Sequence, residues 1–77
     1  MNRQDYEQTI NCKYVRSFGK YELYKRSDNE YMVTDGWRCD WFILYDFGGW
    51  AHNGIFALRK DIGAYFDKLN PPMFKAA

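Results

Sequence analysis

Three side chains in this 77-residue chain could serve as soft metal ligands: Cys12, Cys39 and His52. A structural zinc site needs about four such ligands, usually as close pairs, whereas the nearest two here, Cys39 and His52, stand thirteen residues apart. Read as nucleophile and base, Cys39 and His52 would need an orienting third group and an oxyanion site, and no local signature supplies either. Asp40 and Asp46 fall on the same side of one strand. Six positions of extended chain separate them by about 20 Å, too far for paired acid–base work, so they read as solubilising charges at the strand ends. Gly48-Gly49 lacks the G-x-x-x-x-G-K-[ST] frame of a phosphate loop and reads as a tight turn. The expectation is a chain that is not an enzyme, takes no metal or cofactor, and keeps its two cysteines as buried free thiols.

Composition bounds the rest. A chain of this length has room for one domain, 1–77. It buries only about 60% of the surface its unfolded form exposes, so its core must be unusually rich. Seven Tyr, six Phe and three Trp supply that richness, since each large ring can bury roughly 150–250 Å². Eleven basic and ten acidic residues are mixed along the chain and leave a net charge of +1. No block of like charge is present to steer a polyanion or to imitate one. The longest uncharged apolar stretch, 41–45, is far below the ~20 residues of a membrane span, and Met1-Asn2-Arg3-Gln4-Asp5 leads into no apolar signal core. The expected compartment is the cytoplasm, with no membrane partner.

Residues 1–11 fit either an extended arm or a short helix, with Tyr6 and Ile10 at i, i+4. From Cys12 the pattern turns to strands. Lys13-Tyr14-Val15-Arg16-Ser17-Phe18 and Tyr21-Glu22-Leu23-Tyr24-Lys25-Arg26 flank Gly19-Lys20, the glycine-first pair of a type II′ hairpin turn. That turn pairs Phe18 with Tyr21, Arg16 with Leu23 and Tyr14 with Lys25, and gathers Tyr14, Phe18, Tyr21 and Leu23 on the core face. A three-residue loop within 27–30 puts Tyr31 and Val33 on that same face. Asp35-Gly36 marks a third reversal, and 39–47 reads as the strongest strand, apolar on both sides in its middle. Beyond the break at 48–54, Ile55, Leu58, Ile62, Tyr65, Phe66 and Leu69 recur at helical spacing. Asn53 is the expected N-cap, and Asn70-Pro71-Pro72 the stop. The predicted fold is α+β: a four-stranded antiparallel β-meander over 12–47 with one C-terminal amphipathic helix, 53–70, packed on one face, and a tail at 71–77.

One helix can cover only one face of such a sheet. The aromatic surplus of 37–50 is then the place to look for function, because exposed Trp and Tyr beside Arg are favoured at the energetic centres of protein interfaces. The candidate interaction residues are Trp37, Arg38, Trp41, Phe42, Trp50 and Tyr24. The expected function is a small protein-binding module. The alternative is a single-stranded nucleic-acid platform, with Tyr14, Tyr24, Trp37 or Phe42 stacking on bases and Lys13, Arg16, Lys25 and Arg26 on phosphates. A homodimer through the apolar strand 41–45 is a third reading.

A short tyrosine-rich meander with Tyr31-Met32-Val33-Thr34-Asp35-Gly36 and Trp41-Phe42-Ile43, closed by one helix, resembles the small accessory proteins of bacteriophages and mobile elements. That class includes inhibitors of host enzymes and of defence systems, anti-CRISPR proteins among them. The resemblance implies a protein that inhibits or modulates a host or defence protein, acting in the host cytoplasm if a phage encodes it. The balanced charge sets this chain apart from inhibitors that mimic DNA.

Overall fold

Two glycines at the end of the fourth strand decide how many strands there are. In the computed structural model, which describes residues 2–72, Gly48 and Gly49 take φ of 93° and 83°. Such values suit glycine alone. They turn the chain straight back, with Tyr45 N–H donating to Gly49 O at 3.0 Å and Gly48 N–H to Tyr45 O at 3.1 Å. The segment expected to break the sheet therefore extends it. The strands are β1 (Lys13–Phe18), β2 (Tyr21–Ser27), β3 (Glu30–Thr34), β4 (Cys39–Leu44) and β5 (Trp50–Asn53), antiparallel and in sequential order. The α+β class stands; among the described residues the strand count is five rather than four. β4 lies inside the sheet, paired on both sides, so a dimer through strand 41–45 has no free edge to use.

Among the described residues there are also two helices where the predicted fold has one, the short-helix alternative for residues 1–11 being the one realised. Arg3–Ile10 forms α1 and Lys60–Leu69 forms α2, preceded by a single 3-10 turn at Phe56–Leu58. Asn2 caps α1, its side-chain oxygen accepting the Asp5 N–H at 2.9 Å, and Asn11 closes it with a left-handed φ of 56°. Eight residues are too few to hold a helix in water alone, so the sheet sustains it. Asn53 is not the α2 cap. It lies in β5 opposite Trp41, and α2 begins seven residues later. Part of the tail expected over 71–77 falls outside the described residues.

The helices take opposite faces. Under α2 lie Phe18, Leu23, Tyr31, Val33, Phe42 and Leu44, packed with Phe56, Ile62 and Phe66. Under α1 lie Cys12, Tyr24 and Met32, with Tyr6, Ile10, Tyr14 and Trp41 partly buried against them. Tyr14 was expected on the α2 face. A bulge at Val15 moves it, pairing Tyr14 with Tyr24 instead of Lys25, because one extra residue inverts every side chain beyond it. A second bulge has the opposite consequence. Ser27 pairs with Glu30 around a two-residue loop, which would have sent Tyr31 to the wrong face, but Arg26 bulges and restores Tyr31 and Val33 to the face of Leu23.

Candidate protein-interaction surface

The hairpin between β3 and β4 is built around one carboxylate. Asp35 Oδ1 accepts the backbone N–H groups of Trp37 and Arg38, each at 2.8 Å. Gly36 N–H donates to Thr34 Oγ1 at 3.0 Å, and Asp35 N–H to Arg38 O at 3.3 Å. The N–H groups of Arg38 and then Trp37 hold the Asp35 carboxyl below its usual range, as hydrogen bonds to a charged acceptor do. With its backbone thus pinned, the loop carries Trp37 outward, 90% exposed.

Ile55 and Leu58 join Trp37 at this end of the sheet, exposed by 56% and 78%. The shared end follows from β4 starting beside the 3-10 turn: Phe56 N–H donates to Asp40 Oδ2 at 2.7 Å. Asp40 is therefore no solubilising charge. It is buried, and it tethers the chain entering α2. The rim is basic. Arg59 lies 4.6 Å from the centre of the Tyr21 ring and pairs with Asp61 at 3.1 Å. Arg38 and Lys60 are exposed and form none of the ion pairs among the described residues.

The other expected interaction residues divide. Phe42 and Tyr24 are buried, under α2 and α1 respectively, and present nothing to a partner. Tyr24 faces the side that α1 covers over β1–β3, whereas Phe42 lies on the α2 face itself, stacked on Phe66, and not on the side α2 leaves open. Trp50 is half-buried against Phe42 and Phe66, with its Nε1–H donating to Asp67 at 2.9 Å. Its main role is to hold α2. Trp41 is half-buried, with the Arg26 guanidinium 4.1 Å over its ring. It lines a shallow cleft of about 340 Å³ with Ile43, Ala51, His52 and Asn53, on the part of the sheet α1 leaves bare. Ile55 and Leu58 were missed because their spacing places them in the helical stripe. The acidic Asp61 in the true first turn of α2 marks where the helix begins, in keeping with the preference for acids there.

The polar candidates do not assemble. Cys39 shares the α1 face with Trp41, and His52 shares the α2 face with Phe42 and Trp50, so the two do not meet. Cys12 is buried, and burial pushes its thiol up. Cys39 is exposed, contrary to expectation, with Tyr6 Oη 3.9 Å from its sulfur. Among the described residues no three of His, Cys, Asp and Glu come together as a metal site would require, and no helix is long and apolar enough to cross a membrane.

Under α1, Tyr24 donates its phenol to Glu22 at 2.9 Å, and Arg3 binds the other Glu22 oxygen at 2.8 Å. Burial first, then the bond to Glu22, pushes the Tyr24 phenol up to about 12. A raised folded pKa adds stability that is complete below the unfolded value of about 10 and is lost as pH rises toward the folded one. An alkaline titration followed by tyrosinate absorbance is expected to show Tyr24 ionising last, with unfolding growing easier across that interval. Early ionisation of all seven tyrosines would refute this placement of α1.

Comparisons with protein-family models, with curated protein sequences and with solved structures give no match, so this geometry is all that speaks for function.

Proposed function

We propose that this chain is a protein-binding module that docks through Trp37 and the sheet end around it, and that binding blocks or modulates the target. The carrying observation is Trp37 itself: among the described residues the most exposed large apolar side chain, on a loop with four internal hydrogen bonds. A ring of roughly 200 Å² is worth about 5 kcal/mol of transfer energy when buried. Holding it in water on a rigid support leaves that energy for a partner, at little further entropic cost. Arg38 beside it adds the second residue type enriched at interface centres. The nucleic-acid alternative has less support, because Tyr24 and Phe42, two of its stacking residues, are buried.

Trp37→Ala tests the reading. It is expected to leave circular dichroism and the unfolding midpoint unchanged, since exposed substitutions usually stay within about 0.5 kcal/mol. Capture of a partner from host lysate should weaken by about thirtyfold, the loss of an interface anchor worth about 2 kcal/mol. Equal recovery by both proteins, or a captured species that is nucleic acid and releases steeply with salt, would overturn it.

A further inference from the structure

The two edges of the sheet are built differently. β1 carries Lys13 and Arg16 and is kinked by the bulge at Val15, devices that discourage pairing with another strand. β5 has neither. It belongs to the stretch 47–58, twelve residues without Asp, Glu, Lys or Arg in a chain where these make up 27%. That stretch also exposes apolar side chains, with Phe47 open by 59% in addition to Ile55 and Leu58.

Among the described residues the backbone at this edge is unpaired in a definite pattern. Tyr45 N–H donates to Gly49 O, so by the two-residue alternation of an antiparallel ladder the hydrogen-bonded pairs are Ile43/Ala51 and Trp41/Asn53. The N–H and C=O groups of Trp50 and His52 then point away from β4, toward the open edge.

We propose that a second copy of this chain pairs with β5, antiparallel, across a two-fold axis through Ala51. Trp50 of each copy then stands opposite His52 of the other, and the four outward groups of one strand meet the four of its mate. The same register sets Ile55 of each copy beside Phe47 of the other, once on either side of the axis. Two-fold symmetry brings a surface onto itself, so any charge in it meets its own kind. The stretch 47–58 satisfies that condition, and β1 does not. A strand of four residues makes few bonds, each worth about 1 kcal/mol net. The flanking apolar pairs supply the remainder, and the dimer is expected to form between micromolar and millimolar concentration.

Sedimentation equilibrium of the intact chain should show the average mass rising from one copy toward two across that range. Amide exchange at Trp50 and His52 should slow with concentration, while Ala51 and Asn53, already bonded to β4, should not change. Ala51→Lys brings two ammonium groups together at the axis and is expected to abolish the rise in mass. In a Cys39→Ser background, Ala51→Cys should oxidise to a covalent dimer and Val15→Cys, on the other edge, should not. The exchange measurement needs no variant, so a poorly folded Ala51→Lys leaves the test intact. A mass that stays at one copy, with Trp50 and His52 amides fast throughout, would overturn the proposal. A dimer in which those amides stay fast would overturn it too.

Discussion

Gly54→Ala is expected to cost about 2–6 kcal/mol, a large share of the stability of a chain this size at roughly 0.05–0.15 kcal/mol per residue. Two penalties add. Gly54 has φ of 120°, a backbone conformation that side chains rarely adopt, which costs about 1–3 kcal/mol. An added Cβ would also overlap the Asp40 carboxylate, and this is the group that accepts the Phe56 N–H in the protein interior. Moving it leaves a buried donor unmet, at about 1–3 kcal/mol. Urea unfolding should show a lower midpoint with an unchanged slope. A double-mutant cycle with Asp40→Ala separates the penalties: the overlap should vanish in the double variant and the backbone strain should stay. Strict additivity, or a loss under about 1 kcal/mol, would show that the glycine is not there for the carboxylate.

Phe66→Ala is expected to cost about 3–5 kcal/mol, by a different route. Phe66 and Ile62 are the only α2 residues among those described that are fully buried. The Phe66 ring stacks on Phe42 with centroids 4.4 Å apart and planes 6° from parallel. It also meets Tyr31 edge-on at 5.6 Å and Trp50 at 5.6 Å. Deleting it opens a cavity among three rigid rings that cannot close over it, and α2 loses its main hold on the sheet. Amide exchange should quicken across 60–69 before it does in β2 and β3. Phe66→Leu, which refills most of the volume, should recover more than half the loss. If Phe66→Ala unfolds at nearly the wild-type urea midpoint, the packing described for α2 is wrong.

Both positions show where sequence reasoning succeeds and where it stops. Phe66 is legible, because it lies in an apolar stripe of period 3.6 that only a buried helix face explains. Gly54 is not. Its need for glycine arises from Asp40, fourteen residues earlier, a carboxylate that any local pattern assigns to water. The same division runs through the sheet. The positive φ of 59° at Gly19 and the pairing of Phe18 with Tyr21 and Arg16 with Leu23 follow from Gly19-Lys20 alone. The bulges at Val15 and Arg26 do not, because a bulge is set by what the strand must face further along, and two neighbouring strands compete over it. Residues 1–11 stay open between an extended arm and a short helix for a related reason. With only Tyr6 and Ile10 on the inner side of α1, the pattern is nearly as polar as a loop, and contacts with β1 and β2 make it a helix.

Local chemistry by itself determined that this chain is an α+β meander with an aromatic core and that Trp37 sits in a hairpin turn beside Arg38. Turn residues and hydrophobic period act over a few positions, and those features need no more. Only the tertiary structure decided which aromatics are surface. Trp37, Phe42 and Tyr24 look alike as residues, and whether a ring meets water depends on which helix lies over its strand. Since α1 and α2 take one face each, the aromatic surplus of 37–50 resolves into a buried Phe42, half-buried Trp41 and Trp50, exposed Tyr45 and Phe47 at the β4–β5 turn, and a fully exposed Trp37 at the other sheet end, with an uncharged fifth strand at the edge.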